Sequence, residues 1–263
     1  MDRRAFLGGV VTGAVAGIGT YSLRRPAEPP APPPAPPPQP AGPLIPEHGR
    51  ISFSQQGEDL LLYHLCHDLL KIESPTYLDV GAAYPVRGNN TYLLYYTGAR
   101  GVLVEPNPAL TAQLREVRPR DTVVEAGIGV TAQAEADYYE IIDNPMLNTF
   151  SAEQVATLEK ERGAKVVARV VKMPLININE VIATHLGKAP DVLSTDVEGL
   201  DYDILKSLDL SRFRPGIICA ESALSLSTGA TSPVVRLLTS RGYRVTCATM
   251  YNVMCVDGRR LTS

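Results

Sequence analysis

The sequence predicts an α/β fold built on a mostly parallel sheet with helices on both faces. Short apolar runs recur at 76–80, 101–105, 122–126, 191–195 and 216–221, and helix-like stretches at 90–97, 108–115, 178–186 and 202–208 lie between them. The runs are near-continuous rather than alternating, as expected of strands buried on both faces of a parallel sheet. Near the end, an amphipathic stretch at 234–241 precedes two short runs at 242–248 and 252–256, read as a last helix and an antiparallel hairpin.

Three regions differ in composition. Residues 1–25 open with Arg3-Arg4-Ala5-Phe6-Leu7 and continue into a weakly apolar run with five glycines between Gly8 and Leu23. That layout is expected of a twin-arginine-like export signal or an uncleaved membrane anchor, with the body cytoplasmic in the second case. Residues 26–48 hold twelve of the 22 prolines. Such a stretch favours extended polyproline II and is read as a linker. Residues 49–263 form the body, which is long enough to bury a substantial core. Its first stretch, 54–71, carries leucines at helical spacing, with Ser54 as N-cap and Glu58 and Asp59 in the first turn.

Removing the four arginines and three acids of the first 48 residues leaves 21 basic against 25 acidic side chains. This balance, without any Lys/Arg run, argues against a nucleic-acid partner. Cys66, Cys219, Cys247 and Cys255 form no C-x-x-C pair. They are read as small buried hydrophobes rather than zinc ligands, with a Cys247–Cys255 bridge across the hairpin as the alternative. His64, His67 and His185 are read as packing or surface residues.

In doubly wound sheets, ligands bind beyond the carboxyl ends of the strands, so the residues just after each strand carry the chemistry. Asp79-Val80-Gly81-Ala82 follows the first strand; a glycine there lets backbone approach a ligand. Glu105 closes the second strand, where a carboxylate can accept from both hydroxyls of a ribose. A G-x-G-x-x-G loop is missing, which turns the reading away from dinucleotides. Asp196 and Glu198 follow the 191–195 strand and Glu221 closes the next. A buried acid cluster of this kind suits a general base, and a divalent cation held by it could do the same work.

With these elements in order, the body resembles the FkbM family of methyltransferases from about Ser52 to Val256. The resemblance is carried by Phe53-Ser54-Gln55-Gln56-Gly57-Glu58-Asp59, Leu78-Asp79-Val80-Gly81-Ala82, Asn89-Asn90-Thr91-Tyr92, Gly101-Val102-Leu103-Val104-Glu105-Pro106-Asn107-Pro108, Asp196-Val197-Glu198-Gly199 and Gly242-Tyr243. Ala99 and Asp201 depart from residues usual in the family. The resemblance implies a Rossmann-like seven-stranded sheet, S-adenosyl-L-methionine as donor, and O-methylation of a small-molecule or glycan hydroxyl. It further implies Asp79, Gly81, Glu105 and Asn107 along the donor, Glu125 and Ala126 near the adenine, and Asp196 facing the donor's ammonium or the reacting centre. Asp196, Glu198 and Glu221 would be the catalytic acids, and Gln55 and Glu58 would close over the site. The alternative function is a membrane-tethered binding module with this fold and no turnover.

Overall fold

The computed structural model describes residues 49–222 and 232–261. The expected signal or anchor and the proline-rich linker, residues 1–48, lie outside the described residues. Among the described residues, no helix is long and apolar enough to cross a membrane.

In chain order the first half contains α1 (Glu58–His64), β1 (Thr76–Val80), α2 (Tyr92–Tyr96), β2 (Arg100–Val104), α3 (Pro108–Val117), β3 (Thr122–Val124), β4 (Gly127–Ile128) and β5 (Glu135–Ile141). The second half contains α4 (Ala152–Arg162), β6 (Val167–Ile176), α5 (Ile178–His185), β7 (Val192–Thr195), α6 (Asp201–Ser207), β8 (Ile217–Glu221), α7 (Pro233–Ser240), β9 (Tyr243–Ala248) and β10 (Asn252–Asp257). Seven strands form the main sheet in the order β3-β2-β1-β7-β8-β10-β9. The first five are parallel, and the β9–β10 hairpin closes the sheet antiparallel.

Side chains alternate across each strand, and each face has its own helices. Tyr77, Leu103 and Cys219 pack with Leu62 and Cys66 near α1, Leu94 of α2 and Leu114 of α3. Leu78, Val80, Val102 and Ile218 pack against Val181 of α5, Ile204 of α6 and Leu238 of α7. Burial on both faces is why the strands read as unbroken apolar runs. The chain winds outward from β1 to β3, then returns through β7 and β8, so the direction reverses between β1 and β7. That reversal opens a crevice at the carboxyl ends of these two strands.

Residues 127–176 build a unit to which the sequence reading assigned no elements, ahead of the expected helix α5. Strands β4, β6 and β5 form a separate sheet, and Ile141, Val155, Leu158 and Val166 give it a small core with α4. Ser151 caps α4, its Oγ accepting from Gln154 N at 3.1 Å. Ser151→Ala should lower unfolding free energy by about 1 kcal/mol in chemical denaturation, the usual worth of such a cap.

Two local expectations are corrected. The first helix begins at Glu58 after a left-handed Gly57 (φ +90°) and passes into a π-helical turn at Leu65–Leu69, so Ser54 is not its N-cap. Glu58 and Asp59 do stand in its first turn, and both are fully buried. Asp59 gathers Ser52 Oγ, Phe53 N and Ser54 Oγ at 2.6–2.9 Å, while Glu58 accepts from Gln56 N and from Thr249 Oγ1 beside the β9–β10 turn. These acids pin the entering chain to the sheet. The four cysteines are free; Cys247 stands opposite Met254 and Cys255 opposite Val245, so the hairpin register does not pair the two sulfurs.

Candidate active site

The crevice is built from the ends of β1, β2, β7 and β8. Asp79, one residue before the end of β1, is 3% exposed and its Oδ2 accepts from Thr91 Oγ1 at 2.7 Å and Asn89 Nδ2 at 3.2 Å. Gly81 follows with φ +81°. A Cβ there would lie 2.0 Å from the Asp196 carbonyl oxygen, so only glycine lets the two loops meet. Glu105 is also buried; its two oxygens accept from Ala83 N at 2.9 Å and Asn107 N at 2.8 Å. Burial pushes its carboxyl up to about 7, and the charge of Asp79 adds to the effect. Each oxygen keeps a free lone pair, so the group can still accept from two vicinal hydroxyls.

Asp196 follows β7, with its N–H donating to Val80 O at 3.0 Å. Burial and the negative charges of Glu221, Asp201, Glu198 and Asp79 hold its carboxyl well above the usual range. Glu198 sits in the left-handed region at φ +54°, an uncommon place for a non-glycine residue. Two contacts hold it there: its carbonyl accepts from Thr149 Oγ1 at 3.0 Å and its Oε2 from Gln154 Nε2 at 3.2 Å. Burial raises the Glu198 carboxyl to about 7 and that of Glu221 to about 8. Asp196, Glu198 and Glu221 offer oxygens within 4.8 Å of one another. That spacing suits a shared proton or a divalent cation.

Two predicted residues fall elsewhere. The Glu125 carboxylate is turned to the surface, where Thr111 Oγ1 and Arg115 Nη1 hold it at 2.7 and 3.1 Å. Asn107 N supports Glu105, while its side chain caps α3 by accepting from Ala109 N. Ala126 is buried against an apolar recess shared with Val80, Val104 and Phe150. Gln55 lies beside Gly88, and Glu58 is committed to Gln56 and Thr249.

A roof over the crevice was not foreseen. Tyr138, Pro145, Met146, Asn148, Thr149 and Phe150 close over Gly81, Glu105 and Asp196, leaving a space of about 40 Å³. Ligand pockets are commonly at least about 300 Å³. The Glu105 carboxylate is placed to accept from the ribose hydroxyls of a nucleoside, and the space beneath the roof is smaller than such a ligand. Alternating residues in β5, Glu-Ala-Asp-Tyr-Tyr-Glu-Ile, are the one sequence signal that pointed to this unit.

Comparison with known proteins identifies the family. The model of the methyltransferase FkbM domain matches residues 79–245, more than half of the chain and spanning β1 to β9. The chain belongs to the FkbM methyltransferase family. It is a methyltransferase, with S-adenosyl-L-methionine as its donor. Among solved structures, a methyltransferase from Geobacter sulfurreducens is 13% identical over 78% of this chain and 80% of that one, with TM-score 0.43. An O-methyltransferase from Bacillus cereus, in complex with SAH, is 14% identical over 81% and 84%, with TM-score 0.39. No curated protein matches the chain.

Proposed function

We propose that the protein is an O-methyltransferase acting on a hydroxyl of a sugar, glycan or related small molecule. The observation that carries this reading is the placement of the three acids. Asp196 lines the donor crevice, while Glu221 lines a second, polar recess of about 260 Å³. Gln154, Tyr202, Ser222 and Ser232 face that recess, a mix of amide and hydroxyl groups suited to a polyhydroxylated acceptor. Bound at the β1 and β2 ends, the donor supplies an electrophilic methyl group on its sulfonium.

The protein's own task is positioning and proton removal. Asp196 stands nearest the donor side and is the proton acceptor in this reading, with Glu198 and Glu221 spreading the charge. The acids titrate as a unit, so the rate should rise with pH through about 7 to 8 as Glu198 and Glu221 deprotonate. A rate profile that is flat or falls over this range rejects a carboxylate base. The acceptor class is tested by incubating the protein with labelled donor and a panel of sugars, glycans, amines and carboxylic acids. Label in an ether supports the reading, and label only in amines or esters overturns it.

We further propose that residues 1–25 bring the protein to a membrane or to an export route. The support is the Arg3-Arg4-Ala5-Phe6-Leu7 opening, the apolar run and the proline-rich spacer. A reporter fused after Pro46 should become membrane-bound or exported; a soluble cytosolic reporter rejects this.

A further inference from the structure

Beneath the donor crevice lies a dry polar network that the proton chemistry above does not use. Its centre is Arg118, just after α3, which has no exposed surface although arginine is rarely fully buried without partners. Every arm of the guanidinium is committed. Nε donates to Asp121 Oδ2 at 2.8 Å, Nη1 to Asn89 Oδ1 at 2.9 Å, and Nη2 to Tyr77 OH and Thr91 Oγ1, each at 3.0 Å. The rings of Tyr77, Tyr92 and Tyr95 surround it at 5.1–6.0 Å. Asn89 and Thr91, two of the four residues Arg118 grips, both donate to Asp79.

The arrangement asks for a reason beyond stability. A buried ion pair seldom stabilises a fold more than apolar side chains of the same volume. This one is aimed, through a single layer of side chains, at the carboxylate that ends in the crevice. We propose that Arg118 is a positioning residue for the methyl donor: through Asn89 and Thr91 it fixes the Asp79 carboxylate opposite the α-ammonium of S-adenosylmethionine. The proposal rests on the placement of the amino-acid end of the donor beside Asp79.

The charges around Asp79 point the same way. Burial pushes its carboxyl up, and the largest opposing influence is Arg118. Glu105 from β2, Asp196 after β7 and Cys219 on β8 are the other ionisable groups coupled to it, and Asp121 and Tyr77 sit beside the guanidinium. Arg118 is the one cation of this set. Without it, Asp79 would take up a proton at a higher pH, and a neutral carboxyl has little attraction for a cation.

The test uses the full chain and two ligands. S-adenosylmethionine carries the α-ammonium on its amino-acid end, and methylthioadenosine shares the nucleoside but lacks that end. Calorimetric affinities are compared at about pH 8 and about pH 6 for wild type, Arg118→Gln, which removes the cation, and the near-isosteric Thr91→Val, which breaks the relay while leaving the guanidinium in place. Relative to wild type, the variants should bind S-adenosylmethionine roughly tenfold more weakly at the lower pH and less so at the higher one. Methylthioadenosine affinity should change by less than about twofold at both. Equal losses for both ligands, or a loss independent of pH, would show a merely structural role and overturn the proposal. If Arg118→Gln does not fold, Thr91→Val decides it. Wild type that binds both ligands with equal affinity instead removes the placement of the amino-acid end beside Asp79.

Discussion

Asp196→Asn is expected to slow methyl transfer by about a hundred- to ten-thousand-fold, the range of a lost general base. Donor affinity should stay within about threefold of wild type, under 1 kcal/mol. The amide keeps the shape of the carboxylate, and the backbone N–H of residue 196 still donates to Val80 O, which sets the loop. In the proposed reading, what is lost is the ability to accept a proton from the acceptor hydroxyl. Glu198→Gln and Glu221→Gln should cost less, because each leaves two of the three acids in place. Initial rates at saturating donor, with donor binding measured separately, check this. An Asp196→Asn enzyme of near wild-type rate would remove Asp196 from the chemistry.

The same acids should weaken the fold as pH rises, and Glu221→Gln should relieve part of that weakness. In the folded state Asp201 is raised to about 6, Glu105 and Glu198 to about 7, and Glu221 to about 8, in each case chiefly by burial. In the unfolded chain these groups titrate near 4. Between those limits the folded protein holds more protons than the unfolded one, so stability is fully present below about pH 4 and declines up to about pH 8. One pKa unit corresponds to about 1.4 kcal/mol. Coupling among the acids and solvent at the crevice mouth reduce the gain from removing one charge to roughly 2 kcal/mol at pH 8. For a body of this size that is a rise in Tm of roughly 5 °C, with no gain near pH 4. Thermal unfolding at both pH values tests this, and an unchanged or lower Tm for Glu221→Gln at pH 8 refutes it.

The main sheet was legible because its strands are buried on both faces, and that leaves an unmistakable trace in a run such as Gly101-Val102-Leu103-Val104. Strand-end residues were legible for a related reason: once the strands are placed, topology sends Asp79, Glu105, Asp196 and Glu221 to one edge. The small sheet was not legible. Strand β6 alternates between exposed and half-buried positions and contains Pro174, so its run lacks the signature of a central strand. Glu125 shows another limit. Its position after β3 was right, but Arg115 one helix away decides where its carboxylate points. Arg118 was invisible because a polar residue in the loop Arg118-Pro119-Arg120-Asp121 reads as solvated. Only the tertiary fold shows that the first and last of these face inward, with neither side chain exposed.

The roof and the acid cluster are joined by two hydrogen bonds. Thr149, in the roof, and Gln154, in the helix behind it, supply the two contacts that keep Glu198 in its left-handed conformation. One of the three clustered acids is therefore set from the small sheet and its helix rather than from the main sheet, and a substitution at Thr149 or Gln154 reaches the crevice without touching any strand that forms it.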